Sequence, residues 1–245
     1  MTVLAVIPAR WQSTRFPGKP LAQIAGREMI ARVWDQVVMT PSVDQTVVAT
    51  DSDKIAAFCE ENDMDVVMTR SDHATGSDRL AEVAEKISAD IYVNVQGDEP
   101  LIEPASIDAV SKCLLAAVKR GIGVSTGYIT AASDDQMDNP SVVHLVPALD
   151  GTVITFSRFP VPYPQGEAMQ RTVHVGLYAF TGDALAKYSA WGQGPVEKSE
   201  SIEILRFLEH GEKVACVPVP PGSIGVDTPD DVILVEAVLA ERETL

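Results

Sequence analysis

The chain has 245 residues, with Lys and Arg totalling 19 against 35 Asp and Glu, a formal net charge of -16 at pH 7, and 46% hydrophobic residues. That is ample apolar material for a core, while no apolar run reaches membrane-span length, no leader-like segment opens the chain, and an acidic surface repels nucleic acid and anionic lipid. The expectation is a cytosolic globular protein with no nucleic-acid or membrane partner, in which Cys59, Cys113 and Cys216, lacking CxxC spacing, are reduced core thiols.

The opening TVLAVIPA reads as a buried strand and runs directly into RWQSTRFPGKPL, where Arg10, Arg15 and Lys19 concentrate cations in an otherwise acidic chain. Spaced cations, the stiff Pro8 and Pro17 and the flexible Gly18 suit a triphosphate, which needs backbone N–H groups and guanidinium or ammonium groups around its oxygens. A solvated basic turn is the plainer alternative. The loop is neither GxGxxG nor GxxxxGK[ST], so neither a dinucleotide fold nor a Walker-type site is supported.

REMIARVWDQVVM, SDKIAAFCEEN and SDRLAEVAEKI carry helical periodicity, and they alternate with the strand-like runs QTVVATD, DVVMT and DIYVNVQGDE. Continuous apolar strands between amphipathic helices predict a Rossmann-like α/β fold, a mainly parallel sheet covered on both faces. Ligands of such sheets bind beyond the carboxyl ends of the strands. Arg10, Asp51 and Asp98 fall at those ends.

In MTRSDHATGSDRLAEV, the turn bearing Arg70, His73, Gly76 and Arg79 leads into a helix and can present donors and acceptors to a base edge; His73 by itself fits a structural role as well. In NVQGDEP, Gly97 permits close backbone approach, and Asp98 and Glu99 follow a strand end, a suitable place for a Mg²⁺ ligand. Helix IDAVSKCLLAAVKRG should close at Gly121. Then GVSTGYI, SVVHLVPALDGTVITFSR and HVGLYAF read as strands, with a hairpin signal at ALDGT and a proline-rich PVPYPQG loop. This predicts an irregular β-containing subregion at about 124–190, within a single domain of 1–245.

Arg158, His174, Tyr178 and Glu203 are polar groups among apolar ones. Arg158 has the fork for a carboxylate, His174 and Tyr178 share one strand face, and together the four suit a polyol. SESIEILRFLEHG is predicted as one helix, VACVPVP as a strand and TPDDVILVEAVLAERE as a closing helix capped by Thr228 with Pro229 as its first residue. Asp227 is either a neighbour of that cap or, with Asp98, a second metal ligand.

Taken together, IPARWQSTRFPGKPL, VVATD, MTRSDHATGSDRLAEV, NVQGDEP, FSRFPVPYP, HVGLYAF, ESIEILR and GVDTPDD resemble the 3-deoxy-manno-octulosonate (Kdo) cytidylyltransferases in content and order. The resemblance implies transfer of CMP from CTP to the anomeric hydroxyl of Kdo with release of pyrophosphate, in a cytoplasmic homodimer associating through the irregular subregion and serving lipopolysaccharide synthesis. It implies nucleotide contacts from Pro8, Ala9, Arg10, Ser13, Lys19, Arg70, His73, Gly76 and Arg79, and sugar-acid contacts from Arg15, Gln96, Arg158, His174, Tyr178 and Glu203. Asp98 and Asp227 would hold Mg²⁺ and, with Arg10 and Lys19, carry catalysis. Ile204 stands where the family commonly has a glutamine, and His144 where it has a lysine. The first departure raises the alternative of another 2-keto-3-deoxy sugar acid, such as 8-amino-Kdo or a shortened ulosonic or nonulosonic acid.

Overall fold

The computed structural model describes residues 1–12, 15–130, 139, 141–167 and 169–243. The elements in chain order are β1 (Val3–Ala9), β2 (Gln23–Ile24), β3 (Arg27–Glu28), α1 (Met29–Val38), β4 (Gln45–Thr50), α2 (Asp53–Glu61), β5 (Val66–Met68), α3 (Gly76–Lys86), β6 (Ile91–Val95) and α4 (Pro104–Ala117). They continue with β7 (Val124–Thr130), β8 (His144–Pro147), β9 (Val153–Ser157), β10 (Thr172–Thr181), α5 (Gly182–Ala190), α6 (Pro195–Glu200), α7 (Leu205–Glu209), β11 (Ala215–Pro218) and α8 (Pro229–Glu243). Two compact units result, residues 1–108 with 222–245, and residues 109–221. Among the described residues no helix is long and apolar enough to cross a membrane.

In the first unit β1 pairs in parallel with both β4 and β6, and β4 pairs in parallel with β5. Leu4, Ala5, Val6 and Ile7 are fully buried, as a central strand covered on both faces must be. Helix α1 buries Met29, Ile30, Val33 and Val37, one stripe of a 3.6-residue period. The chain returns to this unit at its end, where Val226 and Val235 join Ile24, Met29 and Leu101 in one apolar cluster. Thr228 precedes α8 as expected, its N–H and hydroxyl both bonded to the Asp231 carboxylate at 2.8 and 2.9 Å.

In the second unit β7 lies between β11, which it meets in parallel, and β10, which it meets antiparallel; β8 pairs antiparallel with β10 and β9 with β8. The predicted hairpin joins β8 to β9 with Gly151 at φ 77°, and Gly121 at φ 74° ends the helical stretch before β7. The single helix expected over SESIEILRFLEHG is instead two, α6 and α7, separated by Ser201 at φ 53°. Ile202, Ile204, Leu205 and Phe207 are all buried. Side chains at that spacing do not share one helical face, and the left-handed residue re-aims the chain so that each turns inward.

Cys59, Cys113 and Cys216 are free thiols, the first and last buried. Burial pushes Cys59 up to about 11 and Cys216 to about 12, so both are un-ionised core groups.

Candidate active site

Beyond the carboxyl ends of β1 and β6, a cavity of about 220 Å³ is lined by Pro8, Ala9, Arg10, Arg15 and Lys19 from the first loop, His73, Gly76 and Arg79 from the entry to α3, and Gln96, Asp98 and Asp227. The first unit therefore gathers the predicted residues it contains, with two exceptions. Arg70 is outside the lining, exposed and paired with Asp72 at 3.1 Å. Ser13 lies outside the described residues.

The centre of this arrangement is Lys19. Its Nζ donates to Asp98 Oδ2 at 2.7 Å and to the Val226 carbonyl at 2.8 Å, and stands 3.5 Å from Asp227 Oδ1. Arg15 reaches the same Asp227 oxygen at 3.0 Å. Two carboxylates far apart in sequence thus share one ammonium. The delivery of Asp227 is a packing result: Val226 is fully buried, and its N–H donates to the Asp98 carbonyl at 2.8 Å, which fastens the segment before α8 beside the end of β6.

Gly18 adopts φ 72° and its N–H bonds to the Trp11 carbonyl at 3.2 Å, which closes the turn that presents Lys19. Gly97 lines the cavity and also serves packing, because a Cβ there would lie 2.7 Å from the Pro8 carbonyl oxygen. Any side chain would push apart the ends of β1 and β6, and with them the two halves of the site. Next to Asp98, burial pushes Glu99 up to about 7, with a hydrogen bond from Ser223 opposing and the Asp98 charge adding to the rise.

The entry to α3 is held by a capping box in which Thr75 Oγ1 accepts from the Asp78 N–H at 3.1 Å and the Asp78 carboxylate accepts from the Thr75 N–H at 3.0 Å. Arg79 is buried with its guanidinium on Asp51 at 3.0 Å and on Thr69, so Asp51, noted at a strand end, is the partner of Arg79. His73 Nε2 stands 2.5 Å from Glu82, which also accepts from Lys86 at 2.7 Å and from the Arg70 N–H at 3.0 Å.

Burial alone would raise the Glu82 pKa, but the bonds from Lys86, Arg70 and His73 outweigh it and hold the carboxyl at about 2 instead of 4.5. A lowered acid pKa stabilises the fold at pH above the unfolded value and loses that contribution as pH falls through the folded one. Glu82 should therefore add to stability at neutral pH, a contribution lost as pH falls from 4.5 to about 2. Urea unfolding of Glu82→Gln should show a shallower acid limb over that interval; an unchanged slope would refute the assignment.

The predicted polyol residues Arg158, His174, Tyr178 and Glu203 belong to the second unit. On β10 the His174 and Tyr178 rings lie 5.3 Å apart, on one side of the strand as expected. Thr126 donates to the Leu177 carbonyl at 2.9 Å, so its oxygen accepts from His174 Nε2–H at 3.0 Å, leaving Nδ1 as an acceptor. Burial pushes His174 down to about 3, which keeps the imidazole neutral at physiological pH. Arg158 is bound to the end of α6, its Nε donating to the Glu200 carbonyl at 2.6 Å and its N–H to the Glu200 carboxylate at 2.8 Å. Glu203 occupies the turn between α6 and α7, where its carbonyl accepts from the Arg206 N–H at 3.2 Å. Ile204 is 1% exposed. It belongs to the core, which accounts for an apolar residue there without invoking a different sugar.

Sequence reasoning missed Asn94, a fully buried amide in the middle of β6. Its signal was present, a lone polar residue within IYVNV.

Parallel strands, a cation-bearing loop beyond the first of them and paired carboxylates at the strand ends define a nucleotidyltransferase-type enzyme. The cytidylyltransferase family model matches residues 4–214. The chain is 41% identical to the 3-deoxy-manno-octulosonate cytidylyltransferase of Syntrophotalea carbinolica, with 98% of this chain and 99% of that protein covered. It is 43% identical to the Myxococcus xanthus protein of the same name, covering 98% and 97%. The structure of CMP:2-keto-3-deoxy-manno-octonic acid synthetase complexed with CTP superposes with a TM-score of 0.93 at 36% identity, over 99% of this chain and 100% of that one. The chain belongs to the 3-deoxy-manno-octulosonate cytidylyltransferase family.

Proposed function

We propose that this enzyme transfers CMP from CTP to the anomeric hydroxyl of Kdo and releases pyrophosphate. The observation that carries the reading is the convergence of Asp98 and Asp227 on Lys19 within the cavity that Arg10 and the α3 entry line. An in-line displacement at the α-phosphorus forms one P–O bond to the sugar oxygen and breaks the bond to the bridging oxygen, whose electrons leave with pyrophosphate while the hydroxyl proton passes to water. Positioning and charge stabilisation supply the acceleration, with no covalent enzyme intermediate.

Arg10 and Lys19 offset negative charge on the phosphates, and Arg15 and Gln96 line the same cavity, where they orient the sugar acid. For Arg158, His174, Tyr178 and Glu203 of the second unit we propose contacts to the sugar acid, with neutral His174 accepting a hydrogen bond at Nδ1. The donor set fits Mg²⁺: two carboxylates already flank one cationic group, and Mg²⁺ takes one or two carboxylates with phosphate and water. Asp98 and Asp227 would hold it, and when bound it supplies charge neutralisation at the phosphates and lowers the pKa of a nearby hydroxyl. We place the enzyme in the cytoplasm as a homodimer, supplying lipopolysaccharide synthesis.

The test is pyrophosphate release from CTP and Mg²⁺, with Kdo and with 8-amino-Kdo, compared with other nucleoside triphosphates. Release that requires both CTP and Kdo is the expected result. Release independent of the sugar acid, or preference for another acceptor, would overturn the assignment.

A further inference from the structure

Asn94 has no exposed surface, and among the described residues neither its side-chain oxygen nor its nitrogen has a hydrogen-bond partner. Its neighbours Tyr92, Val93 and Val95 are buried as well, so the position sits in the middle of a strand where any apolar residue of similar size would serve the core. An unpaired amide in the interior is destabilising, and a fold that keeps one does so for another reason. Its location supplies that reason. Asn94 Nδ2 is 3.4 Å from where a Cβ on Gly76 would stand, and Gln96 Nε2 and Pro8 Cγ are each 3.6 Å from the same point. Pro8, Gly76 and Gln96 all line the cavity, and the Asn94 amide, outside the lining, approaches the same point as they do.

We propose that Asn94 is a positioning residue whose amide is unpaired in the free protein and completes its hydrogen bonds when bound CTP draws the Gln96 amide and the start of α3 over it. A ligand shifts a conformation only through contacts that differ between the two states, and an unpaired buried amide is a contact that the free state lacks. Asn94 and Gln96 are two residues apart along one chain direction, so they project to the same side of the sheet, one at the cavity wall and the other beneath it. Gly76, having no Cβ, leaves no side chain between the helix start and that amide. The inference rests on the site being a CTP site.

Asn94→Val, nearer in volume, and Asn94→Leu, equal in number of side-chain heavy atoms, remove the amide while keeping the core filled. Thermal unfolding without ligand should rise by about 2–4 °C for each, because the unpaired polar group is gone. The CTP-induced rise in Tm should shrink, and KM for CTP should increase about tenfold with kcat changed less than about threefold. In a Gln96→Leu background, adding Asn94→Leu should change KM no further, since Asn94 acts through Gln96. A lower unliganded Tm in both variants would show that the amide is already paired in the resting fold and would overturn the proposal. So would a higher Tm with an unchanged CTP shift and KM. Wild-type protein that gains no Tm from CTP would instead refute the proposed function, which separates the two failures.

Discussion

Asp98→Asn should lower the rate of pyrophosphate release by about 10²–10³-fold while changing the CTP dissociation constant far less. The substitution is nearly isosteric, so the fold and the Lys19 turn persist. What changes is the charge that faces the ammonium at 2.7 Å. Only the carboxylate balances Lys19 and, on the proposed function, would hold a divalent cation, and both tasks would grow in importance as charge develops between the α-phosphorus and its leaving group. Asp227→Asn should be milder, since that side chain is 53% exposed and shared with Arg15. Stopped-flow release measured beside equilibrium CTP binding decides the matter. A turnover within about threefold of wild type would remove Asp98 from the chemistry.

Breaking the Glu197–Arg206 pair should cost about 3–5 kcal/mol, one of the largest stability losses available in this chain. The two side chains are 2% and 3% exposed, and the guanidinium donates to both Glu197 oxygens at 2.7 and 2.8 Å. It also donates to the Tyr188 and Trp191 carbonyls at 3.1 and 3.4 Å and lies 3.7 Å from the centre of the Tyr188 ring. Glu197→Leu strands a buried cation, and Arg206→Leu strands a buried carboxylate and two carbonyl groups. Guanidinium unfolding should show the loss in both single variants, with Tm falling by roughly 10 °C. The double variant Glu197→Leu with Arg206→Met should recover part of it, because no unpaired charge remains. Singles that cost less than about 1 kcal/mol would show that water reaches the pair.

The first unit was largely legible. β1, β4 and β6 are uninterrupted apolar runs, and such runs mean strands covered on both faces, so parallel pairing and a site at their carboxyl ends followed. Arg10, Lys19 and Asp98 stand out as charges just past strand ends, His73, Gly76 and Arg79 as a turn into a helix and Gln96 by the family resemblance, and the cavity lining contains them all. Arg70 belongs to the same turn, but it is exposed, paired with Asp72 and outside that lining. Composition of a turn does not say which side chains face inward.

The second unit was harder to read. Glu197 and Arg206 look like ordinary surface charges of a helix until Ser201 breaks the helix and turns them into the interior. In the first unit, Asn94 leaves only a composition signal, a lone amide within an apolar strand, and no periodic one. Gly97 lines the cavity as its sequence context suggests, but it also leaves room for the Pro8 carbonyl, a contact between strands that no local pattern records.

Periodicity and residue chemistry acted over a few residues at a time, so strands, helices, caps and the kinds of group available for a phosphate or a carboxylate were readable from the order of amino acids. Which of those groups meet is another matter. Asp227 reaches Lys19 because Val226 and Val235 bury themselves against Ile24, Met29 and Leu101, and burial of apolar surface has no direction along the chain that a reader of residues can follow.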